Sequence, residues 1–265
     1  MQLFFVVKKM KLEEWMKREL DDVYVSTIIM KEQAYKKVGE IPKKQDIYIF
    51  MGINLKGYKK FIDVIVPTED TTSYWYNKIS NFKLRGIEEL FMVAMVDNIH
   101  ISKGFKMVYP NMIKMPSMIE FYNNSRPYII QKDHRKLMSK IQEIYKSETI
   151  EEAKELYNQL LEKYKNEKLL IMVINRIIDD IMEVIKYSKE ARTITSYTYS
   201  YLKMRARLSR LISEYKVFED NEEIRKYVSE FLKKEEENFK PSKRNWSLII
   251  NEMDSIITDK IREKL

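Results

Sequence analysis

Three observations predict an α/β domain with a large helical portion. β-rich runs fill the first quarter of the chain, a helical stretch then leads into a continuous apolar run, and from Gln131 onward the apolar spacing is helical. Residues 23–30, 47–51 and 61–66 are rich in Val, Ile, Tyr and Phe and read as strands. Between the second and third, Asn54-Leu55-Lys56-Gly57 carries turn chemistry and predicts an antiparallel hairpin. Residues 71–84 have helical spacing, with Trp75, Ile79 and Phe82 on one face and Gly86 ending the helix. Residues 90–96 are apolar without interruption up to Asp97, as a buried central strand requires. Helices are predicted near 133–146, 150–166, 167–188, 196–215, 221–237 and 243–263. There is no internal repeat.

Composition removes several classes of function. A chain of 265 residues that is 45% hydrophobic has enough apolar material for a core, which excludes wholesale disorder. It has no Cys, so disulfides, thiolate zinc sites and a cysteine nucleophile are excluded, and a reducing intracellular compartment is compatible. Two histidines, His100 and His134, cannot make a three-histidine metal site, and neither has a ligand partner nearby in sequence. The five glycines fall into no phosphate-cradling spacing. The apolar run at residues 3–7 lacks a secretory signal's length and cleavage site. Residues 169–185 are interrupted by Asn175, Arg176, Asp179, Asp180 and Glu183, so no membrane span is expected. Abundant Lys, Glu, Ile and Tyr without Cys is similar to a thermophile's composition. The formal charge of +8 admits nucleic acid as a partner.

Residues 75–87 with the Arg85-Gly86-Ile87 turn, followed by Val93-Ala94-Met95-Val96-Asp97, form an ordered set. Further members are Gly104-Phe105, Tyr109-Pro110, Ile144-Tyr145-Lys146, Glu151-Glu152-Ala153 and Arg244-Asn245-Trp246. In this order they resemble the Mutator-type transposases of insertion sequences. The resemblance implies an RNase H-like mixed sheet, with a large all-helical insertion and a helical C-terminal part. It divides the chain into the sheet part of the core (1–125), the insertion (126–190) and C-terminal helices completing the core (191–265). It also implies a catalytic centre in which two Asp and one Glu hold two divalent metals that clamp both oxygens of a phosphodiester displacement.

This chain departs from that pattern. The family's opening Asp-x-x-Tyr-x-Lys fits residues 21–26, keeping Asp21 and Tyr24 but placing Ser26 where Lys is expected. The second acid is Asp97. The family's Cys and His fall on Ser117 and Glu120, while its Asn is matched by Asn124. The third acid's position falls on Ser200, beside Tyr199, and residues 191–213 contain no acid. Glu190 or Glu214 would have to shift many residues to replace it. Asp21 and Asp97 are therefore expected as a remnant pair without metal, and no cofactor is expected. The first predicted strand begins at residue 23, so the helix-turn-helix that reads transposon ends is expected to have no counterpart.

Arg192, Lys203, Arg205, Arg207 and Arg210 alternate with Tyr197, Tyr199 and Tyr201, a pattern able to pair cations with phosphates and rings with bases. The bland alternative is a solvated helix face whose tyrosines belong to the core. Trp75 and Trp246 are expected in the core. The expectation is a catalytically inactive, transposase-derived, intracellular protein that binds DNA non-enzymatically, in an architectural or regulatory role. A cytoplasmic location, at the nucleoid when bound, follows. Two alternatives stand beside it: a protein-interaction subunit on the same scaffold, and a residual metal-dependent nuclease or transposase. A protein partner and a homodimer stay open.

Overall fold

A computed structural model describes residues 10–187, 189, 192, 198–239, 246 and 250–251; for residues 198–202 it describes the backbone only. The helix predicted at 243–263 lies almost wholly outside the described residues. Among the described residues the first element is α1 (Leu12–Lys17), followed by β1 (Val23–Val38), β2 (Ile41–Asn54), β3 (Lys59–Ile65), α2 (Thr72–Leu84) and β4 (Glu89–Ala94). Next come α3 (Ile99–Val108), β5 (Ile113–Met115) and α4 (Met118–Ser125). The helices α5 (Gln131–Lys146), α6 (Ile150–Lys163), α7 (Lys168–Val184), α8 (Thr198–Tyr215) and α9 (Asn221–Glu236) follow among the described residues.

Local chemistry sets the boundaries. Asn54 turns β2 into β3 because its Oδ1 accepts from the amides of Lys56 (3.1 Å) and Tyr58 (2.9 Å), and Gly57 supplies a φ of +79°. Thr71 caps α2 by accepting from the Tyr74 amide at 3.2 Å. At the other end of α2, Gly86 adopts φ +107°, while Arg85 donates to Ile62 O (2.9 Å) and Arg18 O (3.1 Å). The Arg-Gly turn is thus a latch holding α2 to the sheet.

The five strands run in the order β3-β2-β1-β4-β5. β1, β2 and β3 are antiparallel neighbours, whereas β4 pairs parallel with both β1 and β5. This is an RNase H-like mixed sheet, and β4 is an inner strand as its unbroken apolar run predicted. One face carries Tyr24, Ile29, Tyr48 and Phe50 against Trp75, Ile79, Phe82 and Phe105 from α2 and α3. The other carries Ile28, Met30, Ile49 and Met51 in a core continuous with Leu137, Ile174, Leu208 and Val228 from the later helices. Burial of these side chains at roughly 25 cal/mol per Å² is what holds helices to sheet.

The β3 edge is covered. Glu236 on α9 accepts from the Phe61 amide at 2.7 Å, and Arg18 reaches both the Phe61 carbonyl (2.5 Å) and Glu236 (3.0 Å). Arg225 on α9 donates to Val64 O at 3.0 Å. These contacts leave that strand little edge to offer another chain.

Candidate catalytic centre and nucleic-acid interface

Asp97 sits three residues past the strand ending at Ala94, and Asn98 after it caps α3 through Oδ1, which accepts from His100 N (2.9 Å) and Ile101 N (3.0 Å). Half-exposed, the Asp97 carboxylate receives Arg176 Nη1 of α7 at 2.7 Å. The α4 residues singled out by the resemblance gather beside it. Ser117 caps α4 by accepting from the Glu120 amide at 3.2 Å, and Glu120 lies against Asp97 and Asn124. Burial pushes the Glu120 carboxyl above its usual range, and the charge of Asp97 adds to that shift.

One turn along α4 from Glu120, Asn123 accepts from Arg205 of α8 at 3.1 Å. Arg205 also pairs with Glu32 of β1, whose second oxygen accepts from Ser209 at 2.9 Å. A chain of groups therefore runs Arg176, Asp97, Glu120, then through α4 to Asn123, Arg205 and Glu32. In it Asp97, past the end of β4, and Glu32, on β1, each have an arginine as cation. Glu32 and Arg176 were not singled out from sequence. Glu32 could have been, because it continues the period-two register of Ile28 and Met30 and so puts a charge on the core face.

Asp21 is not part of this chain, which corrects the expectation of an Asp21–Asp97 pair. β1 and β4 are parallel, with Val23 beside Glu89 and Ile28 beside Ala94; Asp21 precedes the first pair and Asp97 follows the last. The intervening five steps of strand amount to roughly 16 Å at ~3.3 Å per residue, so no ion bridges the two acids. Asp21 instead accepts from the hydroxyl of fully buried Tyr24 at 3.3 Å. That burial, with the Asp21 charge, raises the Tyr24 phenol above its ordinary range. The Asp and Tyr of the matched pattern form a structural hydrogen bond at the far end of the strand.

Carrying the β1–β4 register past Ala94 brings buried Met30 level with Val96 and Lys31 level with Asp97, so the core face of β1 at this level offers Met30 and Glu32, the latter committed to Arg205 and Ser209. Among the described residues no group of three Asp, Glu, His or Cys side chains converges to hold a metal ion. These residues do not fit a two-metal centre. Ser200 lies in the first turn of α8, and its side chain, like those of Tyr199 and Tyr201, is outside the described set; Tyr197 lies outside it altogether.

The basic stretch divides into an inner and an outer part. Arg192 is a correction: at 2% exposure it faces the interior, donating to Tyr187 O (3.1 Å), Ser147 O (2.9 Å) and Tyr145 O. Three backbone carbonyls consume the fork that was expected to meet phosphate. Arg205 is engaged as described. Arg207 pairs with Glu235, and the exposed Arg210 pairs with Glu214 at 2.9 Å. Lys203 is exposed. The outward face of α8 thus carries Lys203, Arg207 and Arg210. His134 packs in the interior against Ser125 Oγ at 2.9 Å, and His100 meets Thr72 Oγ1 at 2.9 Å. Trp75 is fully buried, while Trp246 is partly buried and donates to Leu55 O at 2.5 Å.

Among the described residues no helix is long and apolar enough to cross a membrane. Comparison with known proteins matches residues 7–242 to the family model described as transposase, Mutator family. Among curated proteins, the chain is 20% identical over 184 residues to the transposase for insertion sequence element IS1201 of Lactobacillus helveticus. That alignment covers 69% of this chain and 49% of the relative, so the chain spans about half the length of the curated protein it matches.

Proposed function

We propose a function that starts from family membership, since the chain belongs to the Mutator family of transposases: it binds DNA on the family's catalytic fold without performing strand transfer. The observation that carries this reading is the pairing of two acids with arginines, Asp97 just past β4 with Arg176 and Glu32 on β1 with Arg205. A guanidinium supplies the positive charge that a metal would otherwise bring, but it has no open coordination site to activate water or a 3′-hydroxyl. On β1 at the level of Asp97, Met30 is apolar and Glu32 is held by Arg205 and Ser209, which points the same way.

DNA binding is supported by the family, by the +8 charge and by the cations left on the outer face of α8. Phosphate contacts of this kind give affinity that falls steeply with salt. The role that follows is architectural or regulatory. A second reading, a protein-interaction subunit, draws on Leu169 and Met172 of α7, which are 58% and 59% exposed and share a helical face.

The test is a titration against duplex and single-stranded DNA at two salt concentrations, with and without Mg²⁺, with products run on a denaturing gel. Salt-sensitive binding of DNA that stays intact is expected. Magnesium-dependent cleavage abolished by Asp97→Ala would overturn the non-catalytic reading, and absence of binding would favour the protein-interaction one.

A further inference from the structure

The strands β1 and β2 outrun the rest of the sheet. β1 pairs with β4 only as far as Ile28, and β2 pairs with β3 only from Tyr48 onward. Beyond those points the two strands pair with each other up to Val38 and Ile41, across the turn made by Gly39 (φ +65°) and Glu40. The last four pairs are Tyr35 with Lys44, Lys36 with Lys43, Lys37 with Pro42 and Val38 with Ile41. Tyr35, Val38 and Ile41 are 47%, 45% and 64% exposed.

Two features of this ribbon are unfavourable for the protein alone. Lys36 and Lys43 stand directly opposite, where like charges repel. Val38 and Ile41 present aliphatic surface at a tip surrounded by water. A polyanion with an apolar floor would relieve both. The β1 edge of these pairs is held as far as Lys37, because Phe218 donates to Tyr35 O and accepts from Lys37 N, both at 2.8 Å, so the Val38–Ile41 pair and its turn extend past a fixed base. Lys36 donates to the neutral Asn221 at 2.6 Å and so keeps its charge, whereas Lys37 is matched by Glu219.

We propose that the end of the β1–β2 ribbon is an arm that enters a groove of duplex DNA, with Lys36, Lys43 and Lys44 on phosphates and Val38 and Ile41 against base edges. Past the contact with Phe218 the ribbon narrows to two strands ~4.8 Å apart, with Val38, Ile41 and the Gly39-Glu40 turn leading and the β2 edge at Lys43 and Lys44 uncovered by Phe218. A major groove about 12 Å wide and about 8.5 Å deep admits such a ribbon, and thymine methyls offer its tip an apolar contact. The arm rests on the DNA-binding reading above, but it adds a surface outside α8 and the acid-arginine chain.

The test compares the full chain with Lys36→Gln/Lys43→Gln/Lys44→Gln and with a charge-matched control, Lys103→Gln/Lys106→Gln/Lys132→Gln, on a short duplex over a range of salt. The ribbon variant should lose at least about tenfold in affinity, with its log–log salt slope reduced by about 2 to 3, while the control changes little. Because the chain has no native Cys, Glu40→Cys also offers a unique thiol at the turn for a tethered iron chelate. It should cut the duplex within a few base pairs of one groove position. If the parent chain does not bind DNA, the DNA-binding reading fails and the arm with it. If the parent binds while the ribbon variant binds as well as the control, the arm alone is refuted, and the lysines serve only to keep the ribbon edges from pairing.

Discussion

Gly52 and Tyr24 approach so closely across the β1–β2 pair that a Cβ on Gly52 would lie 2.2 Å from Tyr24 Cδ1. The tyrosine is fully buried and its hydroxyl is committed to Asp21, so the ring has no room to withdraw. Gly52→Ala should therefore lower stability by about 3 kcal/mol through overpacking. Chemical unfolding would show this as a fall in the denaturant midpoint. Adding Tyr24→Leu to Gly52→Ala should recover part of the loss, because it removes the colliding edge.

The Glu32–Arg205 pair predicts an asymmetric pattern. With Glu32 only 8% exposed, Arg205→Leu strands a buried carboxylate and should cost about 3 kcal/mol. The double variant Glu32→Leu/Arg205→Leu should return to within about 1 kcal/mol of the parent. Thermal unfolding of the two variants in parallel measures the coupling. Equal losses in both would show that packing, and not charge compensation, dominates at this site.

Arg192 is expected to matter for stability and not for DNA. Arg192→Lys keeps the charge but cannot reach the carbonyls of Tyr145, Ser147 and Tyr187 together, so a loss of about 2 kcal/mol is expected. DNA affinity measured well below the unfolding temperature should be unchanged. A reduced affinity in a fully folded variant would restore Arg192 to the interface.

Burial, helped by the charge of Arg126, lowers the His134 pKa in the folded chain. A depressed folded value means that the stability His134 contributes is complete above the unfolded value near ~6.5, and is lost as pH falls through the folded value. Unfolding midpoints should drop across that acidic window. In His134→Gln, which retains a hydrogen-bonding group for Ser125, this part of the pH dependence should disappear.

Much of the fold was legible in the sequence because its core elements alternate or repeat with a clear period. The runs at 47–51, 61–66 and 90–96 fall in β2, β3 and β4, and Trp75, Ile79 and Phe82 line α2 as their spacing required. The outer parts of β1 and β2 were not legible, since Lys37, Lys43 and Lys44 face solvent, Lys36 is half-buried on Asn221, and the four show no apolar alternation. β5 is three residues long, too short to carry a period. At the candidate centre, Asp97 was found because it ends an apolar strand. Asp21 misled because a local match of Asp and Tyr says nothing about which end of a parallel pair the acid occupies. Only pairing register settles that. Arg192 misled for a related reason: sequence shows a cation, but not the three carbonyls that enclose it.

The bonds joining Phe61, Arg18 and Glu236 also set an order of events during synthesis. The partners Phe61 and Glu236 are separated by 175 residues, so a ribosome adding about 5–20 residues per second needs roughly 10 to 35 seconds to deliver the second after the first. Throughout that interval the β3 edge of the nascent sheet is uncovered, and α9 cannot yet shield it. The chain is accordingly most vulnerable to mispairing while it is still being made, and a premature stop anywhere before α9 would leave that edge open for good.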